Sequence, residues 1–117
     1  MSDAATQQQA AGTFVPVCTL SDIPDVGGLC VDVEGHLIAI ARDSAGSVHA
    51  IDDTCTHENV SLSEGEVEDG EIECWLHGSR FDLTTGKPTS LPATRPVNVY
   101  PVKIEGEDVL ISLSKEN

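Results

Sequence analysis

Cys55-Thr56-His57 opens a stretch that closes, sixteen residues further on, with Cys74-Trp75-Leu76-His77. Each half offers one thiolate and one imidazole, so the two halves together make a four-ligand site. A lone cysteine is usually a core residue and a lone histidine usually a surface one, but four soft donors in two short pairs form a metal set. Thiolate with imidazole selects zinc or an iron–sulfur cluster over magnesium or calcium, which take oxygen ligands.

Between the two pairs lie Glu58, Glu64, Glu66, Glu68, Asp69, Glu71 and Glu73, with no Lys or Arg among them. The whole chain of 117 residues carries a formal charge of −14. That charge argues against nucleic acid and anionic membranes as partners and favours a protein with a basic docking patch. The length allows one domain with one core. No apolar run reaches the length of a membrane span. Met1 to Gly12 lack the basic start and apolar middle of a secretory signal, so the expected location is the cytoplasm, where cysteines stay reduced and serve as ligands.

Outward from the motif the sequence reads as short strands. Residues 1–12, with the run Gln7-Gln8-Gln9, are expected to be a mobile tail. Phe14 to Val17 is a first strand, placed at an edge by Pro16. Leu29 to Val33 and His36 to Ala41 flank Glu34-Gly35 as a hairpin, and Ser44-Ala45-Gly46 leads into Ser47 to Ile51. Ile72 to Trp75 and Ser79 to Asp82 surround the second ligand pair, and Thr84-Thr85-Gly86-Lys87-Pro88 is turn chemistry. Val97 to Ile104 alternates apart from Pro101, and Glu105-Gly106-Glu107-Asp108 turns it into Val109 to Leu113. Without a sustained helical period, these elements predict an all-β antiparallel sandwich or barrel.

After the second pair come Gly78-Ser79-Arg80-Phe81-Asp82, then Gly86 and Leu91-Pro92. With the spacing C-x-H, sixteen residues, C-x-x-H, this resembles the Rieske family from about Phe14 onward. The resemblance implies a Rieske-like antiparallel β-sandwich over residues 13–117, with a small cluster-binding subdomain at about 53–95. It also implies one [2Fe–2S] cluster, with Cys55 and Cys74 on one iron and His57 and His77 on the other. Replacing two thiolates by neutral imidazoles leaves the oxidised site near neutral, which raises the potential into a range of roughly −150 to +300 mV. Respiratory relatives carry two further cysteines where this chain has Val60 and Leu76, so an apolar contact is expected in place of their disulfide. They also carry a Ser and a Tyr that hydrogen-bond the cluster; Ser79 matches the first, but Phe81 stands at the second, which implies a low-to-middling potential. Gly78 is expected to let backbone approach the cluster, loop N–H groups to donate to its sulfurs, and the Pro92 loop to cover it. Cys2His2 is also a zinc set, but zinc fingers usually put two or more residues between paired ligands, and here Thr56 alone separates Cys55 from His57.

The resemblance is strongest to small ferredoxins that carry electrons from a flavin-dependent reductase to the terminal component of a non-haem iron dioxygenase. On this reading the chain is not itself an enzyme but a monomeric shuttle. A Rieske oxygenase would need a second domain and two further histidines besides a carboxylate, and only His36 and His49 remain. Two other settings share the motif: electron supply to iron–sulfur cluster assembly proteins, and the small subunit of another reductase. Cys18 and Cys30 read as small buried hydrophobes, and His36 and His49 as surface residues. Trp75 is either a core residue or an apolar contact for a redox partner. Arg80 and Asp82 read as a structural ion pair.

Overall fold

Glu34 and Gly35, both with positive φ (55° and 87°), make the two-residue reversal that the sequence signals. Such a turn matches the right-handed twist of the strands it joins. The computed structural model describes residues 13–56, 59–76 and 78–114. The tail expected at 1–12, and both His57 and His77, lie outside the described residues. The turn joins β2 (Gly27–Val33) to β3 (His36–Arg42), and a second reversal around Gly46 leads into β4 (Val48–Asp52). Upstream lies β1 (Val15–Thr19); downstream come β5 (Val67–Glu68), β6 (Glu71–Glu73), β7 (Arg80–Asp82), β8 (Val99–Tyr100), β9 (Val102–Glu105) and β10 (Asp108–Ile111). Every described pairing between these strands is antiparallel.

Among the described residues the strands form three sheets, ordered β9-β10-β1, β2-β3-β4-β8 and β5-β6-β7. The second is the middle layer, and β3 explains why. Ile38, Ala39, Ile40 and Ala41 are all fully buried, so β3 is covered on both faces. Because side chains alternate along a strand, Ile38 and Ile40 face one side and Ala39 and Ala41 the other. The isoleucines join Ile23, Val33, Ala50, Tyr100, Val109 and Ile111 in a core against the β9-β10-β1 sheet. The alanines join Ile51, Leu62, Ile72, Phe81, Leu83, Val97 and Val99 in a second core toward the ligand loops. Cross-strand register sets large against small, with Ile40 opposite Ala50 and Ala39 opposite Ile51, which fills both layers without overpacking.

Two prolines shape the ends. Pro16 sits in edge strand β1, as expected. There the register slips between Val109, opposite Cys18, and Leu110, opposite Pro16, and Val17 is the extra residue. Pro101 splits what reads in sequence as one strand from Val97 to Ile104. Proline cannot donate to a ladder, so β8 ends in the middle sheet and β9 resumes in the outer one. Asp52 fixes this crossover: its carboxylate accepts from Tyr100 Oη at 2.6 Å and from the Asn98 amide at 2.9 Å. Burial and that carboxylate push the Tyr100 phenol up to about 12.

Candidate metal centre

Cys55 and Cys74 occupy matching positions on two loops at one end of the second core. The Cys55 amide donates to the Val60 carbonyl at 3.0 Å, and the Cys74 amide to the Ser79 carbonyl at 2.6 Å. Each cysteine thus pins its loop to the residue five positions further on. Both are buried, at 3% and 1% exposure, and both belong to the same apolar cluster. A bridge between Thr54 and Ser61 closes the neck of the first loop. The second is tightened by the Gly78 amide donating to the Cys74 carbonyl at 2.9 Å. These three N–H groups are spent within the loops. Gly78 has φ +79°, and a Cβ there would make only ordinary contact, 3.6 Å from Glu73 Oε2. Left-handed backbone, more than crowding by protein atoms, is therefore what requires glycine.

A third segment ties the loops together. The buried Ser79 Oγ accepts from the Ala93 amide at 3.0 Å, and Ser90 Oγ accepts from the Arg80 amide at 3.0 Å. Thr56 Oγ1 donates to the Arg95 carbonyl at 2.7 Å, and Arg95 Nη2 donates back to the Thr56 carbonyl at 3.4 Å. The Pro92 segment is therefore bonded to both cysteine loops. Val60 packs on the core beneath it, whereas Leu76 is 41% exposed.

Asp53, unremarked in the sequence, holds the first loop from below. It is buried, its carboxylate accepts from Ser61 Oγ and, at 2.9 Å, from the Ser63 amide, and its carbonyl accepts from the Leu62 amide at 2.6 Å. Its partners lie eight to ten residues away, at the Ser61 bridge and in the single 3-10 turn Leu62–Glu64, too short for any periodicity to mark them. Gly65 allows the backbone that follows to press on β6: a Cβ there would lie 1.7 Å from the Glu73 carbonyl oxygen.

Several expectations need correction. Arg80 pairs with Glu71 (Nε–Oε1 2.7 Å) and lies 3.9 Å from Glu68, not with Asp82. Arg80 and Asp82, two apart on β7, share a face of the sheet, whereas Glu71 lies on β6, the strand next to β7, and Glu68 on β5 beyond it. Asp82 instead accepts from the Thr84 and Thr85 amides in the following turn. The acidic run is thus partly neutralised, and its Asp69-Gly70 reversal stands at the far end of β6 from Cys74. Cys30 is exposed on β2, and Cys18 is half-buried. Burial is the first cause raising both thiols, with Asp53 beside Cys30 and Asp22 beside Cys18 adding to it. His49 is half-buried, with Nε2 2.8 Å from Asp43 Oδ2. Trp75 is 51% exposed and Leu91 75%, so with Leu76 they leave apolar surface next to the second loop.

Two buried thiols on paired loops, closed by a third segment, are what a metal–sulfur group requires of a protein. The imidazole half of the set lies outside the described residues. Residues 13–101 match the Rieske [2Fe-2S] domain, and the chain belongs to that family. It is 42% identical over 101 residues to the ferredoxin component of the naphthalene 1,2-dioxygenase system of Pseudomonas aeruginosa, covering 86% of this chain and 96% of that one. Its fold is similar to the ferredoxin of carbazole 1,9a-dioxygenase from Nocardioides aromaticivorans IC177, with TM-score 0.80, 38% identity and coverage of 86% and 98%. A ferredoxin chain in a complex of reduced oxygenase and oxidised ferredoxin of carbazole 1,9a-dioxygenase also matches, with TM-score 0.80, 33% identity and coverage of 89% and 96%. Among the described residues no helix is long and apolar enough to cross a membrane.

Proposed function

We propose that this chain is a one-electron carrier whose [2Fe–2S] cluster is held by Cys55 and Cys74 on one iron and by His57 and His77 on the other. The domain spans 13–117, preceded by a tail, and residues of about 53–95 form the cluster-binding part. The observation that carries the reading is the pair of buried thiols, Cys55 and Cys74, on loops closed alike by their own amides. When bound, the cluster supplies a site that gains and loses one electron without moving atoms far. The chain's own work is positional: the Pro92 segment shields the loops from water, and the cysteine amides keep the thiolates in register. As the ligands of the second iron, His57 and His77 would give the electron its route to a partner.

The partners are a flavin-dependent reductase as donor and a terminal non-haem iron oxygenase as acceptor. The ferredoxin components and the oxygenase–ferredoxin complex among similar proteins support this reading. Trp75, Leu76 and Leu91 offer an apolar contact, and the net charge of −14 favours basic rims on both partners. Association therefore slows as salt rises, and each encounter is brief because the contact is small. The shuttle works as a monomer in the cytoplasm. Purified protein is expected to be red-brown, with a dithionite-reduced paramagnetic spectrum of the low average g value typical of mixed Cys/His ligation. Colourless protein with stoichiometric zinc would overturn the assignment.

A further inference from the structure

Six Lys and Arg residues face twenty Asp and Glu in this chain, so a cation placed near the redox site stands out. Arg42 turns its guanidinium to the Leu20 carbonyl (2.6 Å) and toward Asp25, in the half away from the loops. Lys103 pairs with Glu105 in the same half. Arg80 is occupied by Glu71 and Glu68. Arg95 differs from all three, because its bonds go to the ligand loop itself. Its carbonyl takes the Thr56 hydroxyl and its guanidinium reaches the Thr56 carbonyl. Thr56 is the residue between Cys55 and His57. The clasp therefore fastens the first loop to the Pro92 segment and sets a permanent positive charge beside Thr56, the neighbour of Cys55.

We propose that Arg95 is a positioning residue of the redox site: it clasps Thr56 to hold the first ligand loop under the Pro92 segment, and its charge favours the reduced cluster. This rests on the electron-carrier reading above. Reduction adds one negative charge and no bond changes, so a fixed cation nearby stabilises the product of reduction more than its precursor. Arg95 is exposed, so the effect is moderated by water and screened by salt.

The test combines charge and clasp variants of the full chain, read by redox titration and by the rate of cluster loss. Arg95→Gln should lower the equilibrium constant for reduction a few-fold at low salt, where a tenfold change would be about 59 mV for one electron. Arg95→Lys should stay near the parent, and the difference between Gln and Lys variants should shrink in high salt. Thr56→Val, which keeps the charge, should leave the potential nearly unchanged but speed loss of iron, whereas Thr56→Ser should hold iron like the parent. Equal potentials for the parent and Arg95→Gln at low salt, or Arg95→Lys falling with Arg95→Gln, would overturn the charge assignment. Thr56→Val losing iron no faster than Thr56→Ser would overturn the clasp. A parent protein without the Rieske spectrum would sink the electron-carrier reading itself, before any variant is compared.

Discussion

Around Ile38, Ile40, Val109 and Ile111 the chain is held by interdigitated aliphatic side chains between two registered sheets. Around Cys55 and Cys74 it is held by short loops, a minimal sheet and side-chain hydrogen bonds to backbone: Asp53 to Ser63, Ser79 to Ala93, Thr56 to Arg95. The first half stands on non-directional burial, which tolerates small shifts. The second has an apolar core of its own, with Leu62, Ile72, Phe81 and Leu83, and adds to it directional bonds, which do not. A redox centre benefits from that addition, because the loops can be shaped to the cofactor while both cores keep the fold stable.

The sharpest way to separate the halves is Cys74→Ser. Iron should fall to background, and amides of about 53–95 should exchange much faster, since a group that binds only the folded state adds stability in proportion to its affinity. Amides of β2, β3 and β4 should stay protected; if they exchange equally fast, the halves are one cooperative unit. Next comes Ile38→Ala, expected to cost about 2–5 kcal/mol in urea unfolding. Its reduction potential should match the parent's, because Ile38 faces the core away from the loops. Ser79→Ala leaves the Ala93 amide without its acceptor in a buried site, at a cost of about 1–3 kcal/mol. Exchange should rise locally at Ala93 and spare the β9-β10-β1 sheet.

The smallest effect belongs to the hairpin before β4. The His49 hydrogen bond, aided by amides of Ser47 and Ala45, holds the Asp43 carboxyl below its ordinary range. A carboxyl so depressed contributes stability that is complete above its unfolded pKa, about 3.9, and that fades as pH falls through the lower folded value. Asp43→Asn should therefore melt below the parent at pH 6, with the gap closing on acidification toward pH 2. A gap that persists at low pH would locate the loss in the turn's geometry and not in the charge.

What could be read in advance was what the chain encodes locally. Glu34-Gly35 and Glu105 to Asp108 announce their hairpins because positive φ and two-residue loops are properties of adjacent residues. Pro16 marks an edge because it lacks one donor. Pro101 gave the same local signal, yet the move from one sheet to another depends on which strands wait on either side. Arg80 finds Glu71 across a ladder, and Arg95 finds Thr56 across 39 positions of sequence; such partners are chosen by the fold. Asp53 escaped notice because a buried carboxylate looks in sequence like any other member of an acidic chain. The family was legible because the Cys–His spacing is itself a local pattern, and both histidines of that pattern lie outside the described residues.

β3 presents isoleucine to one side and bare methyl groups of Ala39 and Ala41 to the other, and those alanines are fully buried in the cluster that includes Cys55 and Cys74. Bulk added at either alanine would therefore press on the layer that carries the two thiols. An engineer wishing to move the redox centre toward solvent would thus begin with those two alanines, in the middle of the protein, and leave the ligand loops as they are.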